Sequence, residues 1–331
     1  MTDLSHQKVP MPDPTSRRGI QVNMRFAAVW VALVILLGIG ALILPRTVSP
    51  GAMLSILPFA AFLTIAAMGQ ALVIMARGID LSVPAIVTLS STVLLGFGGG
   101  ADGSIAVGAG MALLLAVAVG AVNGFFVAVL KLNALIVTLA VGAIVSGITL
   151  WYRQGLPAEA AVPTALAEFG STRLGGLNTA VWVAAALTVL FAVLLRRTQI
   201  GRRFEAVGAN PRAAHATGVE VTRYQAGAFV VAAFLYGVVG ILLSAFIRNP
   251  TLEVGNPYLL APIAAAVLGG TAISGGIGSM ISVAGAALFL TQLDQSLKVM
   301  GLPTSWQMII QGVAIALGMY FSEVTGRRTR R

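Results

Sequence analysis

The chain has 331 residues, 57% of them hydrophobic and only 10% charged, and its mean hydropathy is +0.92. Soluble domains carry about 25% charged residues, so this sequence has too little polar surface to cover a water-facing protein. It has no cysteine and only two histidines, His6 and His215, which excludes disulfides, thiolate metal sites and multi-histidine metal sites.

Residues 1–25 are polar, contain Pro10, Pro12 and Pro14, and read as a disordered cytoplasmic tail. No small-residue cleavage site follows the first apolar stretch, so that stretch reads as an anchor and not a signal peptide. Five windows, 47–76, 104–130, 224–247, 254–293 and 299–322, contain no Asp, Glu, Lys or Arg. A helical span needs about 20 such residues, so the longest windows hold more than one. The alternation of a membrane β-barrel is absent. The pattern predicts an all-α polytopic membrane protein with ten spans near 26–44, 53–76, 83–97, 104–130, 132–152, 179–195, 224–247, 257–274, 279–300 and 306–322. The third is short enough to be one arm of a broken or re-entrant helix. The membrane domain then covers 26–322, and 323–331 form a basic cytoplasmic tail.

The net charge of +10 does not require nucleic acid. With ten spans, 16 of the 21 basic residues fall on one side and 5 on the other. That is the positive-inside bias, and it predicts both termini in the cytoplasm. The largest outer loop, 153–178, holds Pro157 and Pro163 and room for a short helix at 164–169.

Three segments stand out. The first is the basic cytoplasmic loop 196–223. Asn210 suits a helix cap, Pro211 the first helical position, and Gly218 the left-handed stop, which predicts a helix over 211–217. So short a helix is marginal alone. Either a partner protein packs on it, or the loop is a basic patch held by anionic headgroups. The second segment runs from Arg77 to Pro84. Gly78 and Pro84 bracket a helix break, and Asp80 lies between two apolar spans, where an ionised group is costly. Asp80 is read as structural, a cap for the following half-helix or a partner of Arg77, in preference to a proton, cation or substrate site. Ser82 is a second candidate cap. The third segment, 268–279, holds Gly269, Gly270, Gly275, Gly276 and Gly278, too many for a regular helix. It reads as an irregular cytoplasmic turn. Without lysine it is no phosphate loop, and no GxxxxGK[ST] sequence occurs anywhere.

Gln70, Asn123, Thr138 and Gln311 lie at span depth. Such residues more often make interhelical hydrogen bonds than ligand contacts, and they are also the candidates for a substrate path. Asp294 has Lys298 four residues on, an ion pair by default.

Together these segments resemble the inner-membrane permease of the ribose/xylose/galactose (monosaccharide) class of ABC importers. The resemblance rests on Gly78-Ile-Asp-Leu-Ser-Val83, Val122-Asn-Gly124 with Ile136-Val-Thr-Leu139, and the loop positions Gly201, Arg202, Ala206–Asn210, Ala213, Ala214 and Gly218. The late block Ile263–Gly270 with Ser274–Ser279 completes it. Arg77 and Pro84 replace glycines of the family signature, and Asp294 stands where an amide is common. The resemblance implies a bacterial inner-membrane permease paired with a second permease copy as homodimer or heterodimer. It implies an ABC ATPase subunit carrying ATP and Mg on the cytoplasmic side, and a periplasmic sugar-binding protein outside. It also makes 205–218, including Glu205, Gly208, Asn210, Pro211 and Arg212, the contact that couples to the ATPase. The chain itself would hold no cofactor and perform no covalent chemistry. The sugar path would lie at the dimer axis or the bundle centre. A branched-chain amino-acid permease shares this architecture. An ion-coupled transporter would need a mid-membrane titrating group, for which Asp80 is the candidate; an intramembrane enzyme would need clustered acids or a nucleophile with its base, which the spans lack.

Overall fold

The computed structural model describes residues 24–97 and 104–303, and beyond these 305–307, 309–310, 312–313 and 316. The expected tails, except for residues 24 and 25, and most of the tenth expected span, including Gln311, lie outside the described residues.

The chain opens with α1 (Met24–Ile43), followed by α2 (Pro50–Met75), α3 (Val83–Leu95) and α4 (Ser104–Gly124), which runs on through a wider π-type turn at Phe125–Val129. Next come α5 (Ala134–Gln154) and the short surface helix α6 (Thr164–Ser171). A two-residue hairpin pairs β1 (Arg173–Leu174) antiparallel with β2 (Leu177–Asn178). Then follow α7 (Thr179–Arg197), α8 (Gln199–Ala209), α9 (Pro211–Ala216), α10 (Val221–Ile247), α11 (Ala261–Leu268) and α12 (Met280–Val299). Six of these helices are long and apolar enough to cross a bilayer: α1, α2, α4 with its π turn, α5, α7 and α10. The molecule is a helical polytopic membrane protein, and the third and eighth expected spans are short helices, α3 and α11.

α2 and α10 form the centre. In each, 61% of the most apolar window is buried, against 17–28% in the other four crossing helices. Lipid tails are as apolar as leucine, so burial inside a bilayer must come from close packing. The contact between α4 and α10 shows how the sequence achieves it. Gly120 and Gly124 lie one turn apart on α4, and a Cβ on either would sit within 3.0 Å of α10 backbone atoms. The small residues let the two backbones nearly touch, which larger side chains would forbid. On α5, Ile136, Leu139, Ile144, Ile148 and Trp151 remain exposed, as a face turned to lipid or to another apolar surface does.

The basic loop is more ordered than its composition predicts. It contains two helices, α8 and α9, where one short helix was expected. Thr198 caps α8 by accepting from the Gly201 N–H at 3.1 Å. Gly201, Phe204, Val207 and Gly208 recur at helical spacing and form its buried face.

Candidate functional site

Both short helices begin after a helix break. The break between α2 and α3 opens with a Schellman turn. The Arg77 N–H donates to Ile74 O and the Gly78 N–H to Val73 O, both at 2.9 Å. The left-handed residue of this turn is Arg77, with φ of 70°. Gly78 is required for space, since a Cβ there would lie 2.9 Å from the Phe229 ring.

From Gly78 the chain folds back into the bundle. Gln70 meets it, and in the amide orientation that gives every atom a complementary partner, Nε2 donates to Asp80 O and Tyr236 Oη, both at 3.1 Å. Oε1 then accepts the Asp80 N–H at 3.2 Å. Tyr236 lies midway along α10, so Asp80 sits well inside the bundle. The Leu81 N–H donates to Thr138 Oγ1 on α5 at 2.9 Å. Asp80 Oδ1 accepts from the Ser82 N–H at 2.8 Å and from Ser82 Oγ at 2.6 Å. Asn123 Nδ2 on α4 donates to Ser82 Oγ at 2.9 Å.

Residues far apart in sequence therefore form one buried lattice around 79–82. Gln70, Asp80, Ser82, Asn123, Thr138 and Tyr236 all have 0% exposure. Gln70, Asn123 and Thr138 make the interhelical hydrogen bonds expected of such residues and hold this segment. Asp80 does not pair with Arg77. Its carboxylate closes an Asx turn at the start of α3, while the Arg77 guanidinium lies elsewhere. Ser82 makes no side-chain cap of its own. Asp80 Oδ2 and Asn123 Oδ1 are left buried without a hydrogen-bond partner.

The second break lies before and after α11. Gly255 N–H donates to Thr88 Oγ1 at 3.2 Å, and a Cβ at Gly255 would lie 2.1 Å from Pro84 O. The approach to α11 thus touches the first turn of α3. After α11, the turn 269–279 is irregular as expected, with φ of 88°, 90° and 78° at Gly270, Gly275 and Gly276. Gly269 permits close approach to α12, because a Cβ there would lie 2.7 Å from Val283 Cα.

At the basic end three segments converge. The Gly276 N–H donates to Met75 O at 2.9 Å. A Cβ at Gly208, near the end of α8, would lie 2.1 Å from Met75 O and 2.5 Å from Gly276 N. Arg77 Nε donates to Gly208 O and Nη2 to Ala209 O, both at 2.7 Å. Immediately beyond, Asn210 Oδ1 accepts from the Ala213 N–H at 3.2 Å and caps α9, with Pro211 in its first turn. Gly218, at φ of 82°, ends the turn, and the Val219 N–H returns to Ala214 O at 3.1 Å. Arg212, Ala213, His215, Ala216 and Thr217 are exposed, whereas Ala214 is buried. Ala214, expected on the docking face, therefore faces the protein. Arg202 is exposed on α8, and Glu205 is half-buried, where desolvation raises its carboxyl above the usual range against the opposing charge of Arg196. Asp294 and Lys298 form the expected ion pair on α12. A cavity of about 580 Å³ opens between α7, α8 and the start of α10, lined by Phe191, Phe204, Tyr224 and Val231 with Arg203 and Arg223.

The family described as "Branched-chain amino acid transport system / permease component" matches residues 52–319. The ribose import permease protein RbsC of Escherichia coli (strain K12) is 30% identical over 292 residues, 87% of this chain and 91% of that protein. RbsC of Bacillus subtilis (strain 168) is 30% identical over 299 residues, 88% of this chain and 90% of its own length. The autoinducer 2 import system permease protein LsrC of Escherichia coli O9:H4 (strain HS) is 33% identical over 267 residues, 79% of this chain and 76% of that protein. No solved structure matches the chain. The chain belongs to this permease family and is a transport component, not an enzyme.

Proposed function

We propose that this permease is the membrane subunit of an ATP-driven bacterial importer that carries a monosaccharide across the inner membrane. A periplasmic binding protein would deliver the sugar, and a separate ATPase subunit would hold ATP and Mg. The observation that carries this reading is α9, a capped six-residue helix presenting Arg212, Ala213, His215, Ala216 and Thr217 at the basic end. A helix that short gains stability only from packing, and its outward face is uncovered among the described residues. The ribose permeases among its relatives, which align over about nine tenths of both chains, support a sugar as cargo. The sealed lattice around 79–82 favours a passage at the axis between two permease copies over one through a single bundle. Closure of the ATPase dimer would move α8 and α9, and the connected helices would alternate access to that passage. The charge bias supports both termini in the cytoplasm.

The test is uptake of labelled ribose and labelled leucine by cells expressing the permease with its candidate ATPase and binding protein. Saturable, ATP-dependent sugar uptake supports the reading. Leucine uptake in its place favours the amino-acid alternative, which the family description names. Orientation is tested by single cysteines, since the chain has none. Thr164→Cys and Ser171→Cys should label from outside the cell, and Thr217→Cys only after permeabilisation.

A further inference from the structure

Arg77 occupies a position for which its backbone is poorly suited. At the C′ site of a Schellman turn glycine is the usual residue, and a residue with a Cβ at φ of 70° costs about 1–2 kcal/mol. Strain of this kind persists where the surroundings need that side chain. Here the side chain reaches Gly208 O and Ala209 O, two of the last four carbonyls of α8. Those carbonyls have no partner inside the helix, and a cation at a helix C-terminus is favoured by the aligned peptide dipoles. The two bonds are charge-assisted, short, and separated by 131 and 132 residues of chain. Among the described residues no other hydrogen bond joins α8 to α2 or to the break that follows it.

We propose that Arg77 is a positioning residue that fastens the α8–α9 unit to the first helix break. Its guanidinium grips the end of α8 one residue before the α9 cap, and its backbone is the turn that launches the buried segment 78–82. Displacement of α9 is thereby delivered to α2 and to the start of α3. The glycine turn follows, because Gly276 is bonded to Met75 O and a Cβ at Gly275 would lie 2.6 Å from Arg77 Cγ. Without the clasp, only the packing at Gly208 would hold the end of α8 to the break, and most of the displacement would be lost. This inference rests on the reading of α9 as the ATPase contact.

The test compares Arg77→Gly and Arg77→Lys with the unmodified full-length permease. Glycine relieves the left-handed strain and removes the clasp. Arg77→Gly should therefore keep or raise the thermal stability of the purified permease. It should speed amide exchange at the end of α8 and in α9 by about tenfold or more. With the ATPase subunit co-expressed, association should persist while sugar uptake per ATP hydrolysed falls about tenfold. Arg77→Lys keeps the charge but not the fork, and should fall between the two. A merely structural Arg77 predicts the opposite pattern, lost stability with coupling intact in the surviving protein, and that overturns the proposal. Unchanged exchange in Arg77→Gly overturns it as well. If the unmodified permease associates with no ATPase, the functional reading fails, while the exchange experiment still decides whether the clasp exists.

Discussion

Replacing Asp80 separates a structural carboxylate from a titrating one. Among the described residues its Oδ1 is the sole acceptor for the buried Ser82 N–H and for Ser82 Oγ, and Oδ2 has no partner. Asp80→Ala leaves two buried donors unpaired, at about 1–3 kcal/mol each. Some relaxation of the hydroxyl rotor brings the expected loss to about 2–4 kcal/mol. For a chain of this size that is roughly a 5–15 °C drop in unfolding temperature, at ~2–4 °C per kcal/mol. Asp80→Asn keeps an oxygen where Oδ1 stands and replaces an unpartnered charged oxygen by a neutral amide. A buried charge without a counter-ion is the costlier group, so Asp80→Asn should lie within about 1 kcal/mol of the unmodified protein, on either side. The measurement is thermal unfolding of the purified permease in detergent, followed by uptake in vesicles. If Asp80→Asn unfolds as early as Asp80→Ala, the negative charge itself is needed. If it stays folded but uptake loses dependence on a proton gradient, Asp80 is an ion-coupling group and the ATP-driven reading is wrong.

The remaining expectations concern the basic end. Gly208→Ala would drive a Cβ into Met75 O and Gly276 N, both backbone atoms that cannot rotate away, and should cost about 3 kcal/mol in thermal unfolding. Gly218→Pro removes the N–H that donates to His215 O and forbids φ of 82°, so α9 amide protection should vanish with overall stability little changed. Gly218→Ala, whose Cβ meets nothing within 4 Å, should cost about 1 kcal/mol and preserve α9. Ala213→Glu places a charge on the exposed face and should weaken co-purification of the ATPase subunit without loss of stability. Ala214→Glu buries a charge and should disorder the loop itself, measurable as lost exchange protection across α8 and α9.

What could be read from the sequence followed from local chemistry. The cap, proline and stop of α9 lie within nine residues, and each acts on its own backbone, so Asn210, Pro211 and Gly218 were legible. The irregular turn at 269–279 was legible for the same reason. α8 was not, because Gly201 and Gly208 weaken helix propensity and read as breakers. Their actual role is close approach, to Leu195 O in one case and to Met75 O in the other. The polar residues at span depth were visible one by one, but their convergence was not. Asn123 meets Ser82 across 41 residues, Leu81 meets Thr138 across 57, and Gln70 meets Tyr236 across 166. Arg77 illustrates the same limit. Nearness in sequence offered Asp80 as its partner, yet a left-handed backbone points the side chain away to carbonyls more than 130 residues distant.

The two helix breaks, separate in sequence, behave mechanically as one body. Gly255 presses on the first turn of α3 from one end, and Gly276 is bonded to the last turn of α2 at the other. Backbone lies against backbone at both contacts, so neither yields by a change of rotamer, and close-packed interfaces of this kind shift between discrete arrangements instead of deforming smoothly. Rearrangement of α3 therefore requires α11 and the start of α12 to travel with it. The entry to α8 is pinned as well, and the joint that can absorb rotation is the exit from α9. At the entry Thr198 donates to Leu194 O at 2.6 Å, and a Cβ at Gly201 would lie 2.2 Å from Leu195 O. At the exit Gly218 has φ of 82°, and a Cβ there would meet nothing within 4 Å. With a hinge at the end of α9 and a rigid body beside α8, the contacts between Arg77, Gly208 and Gly276 decide whether force applied to α9 moves the membrane helices or only displaces α9.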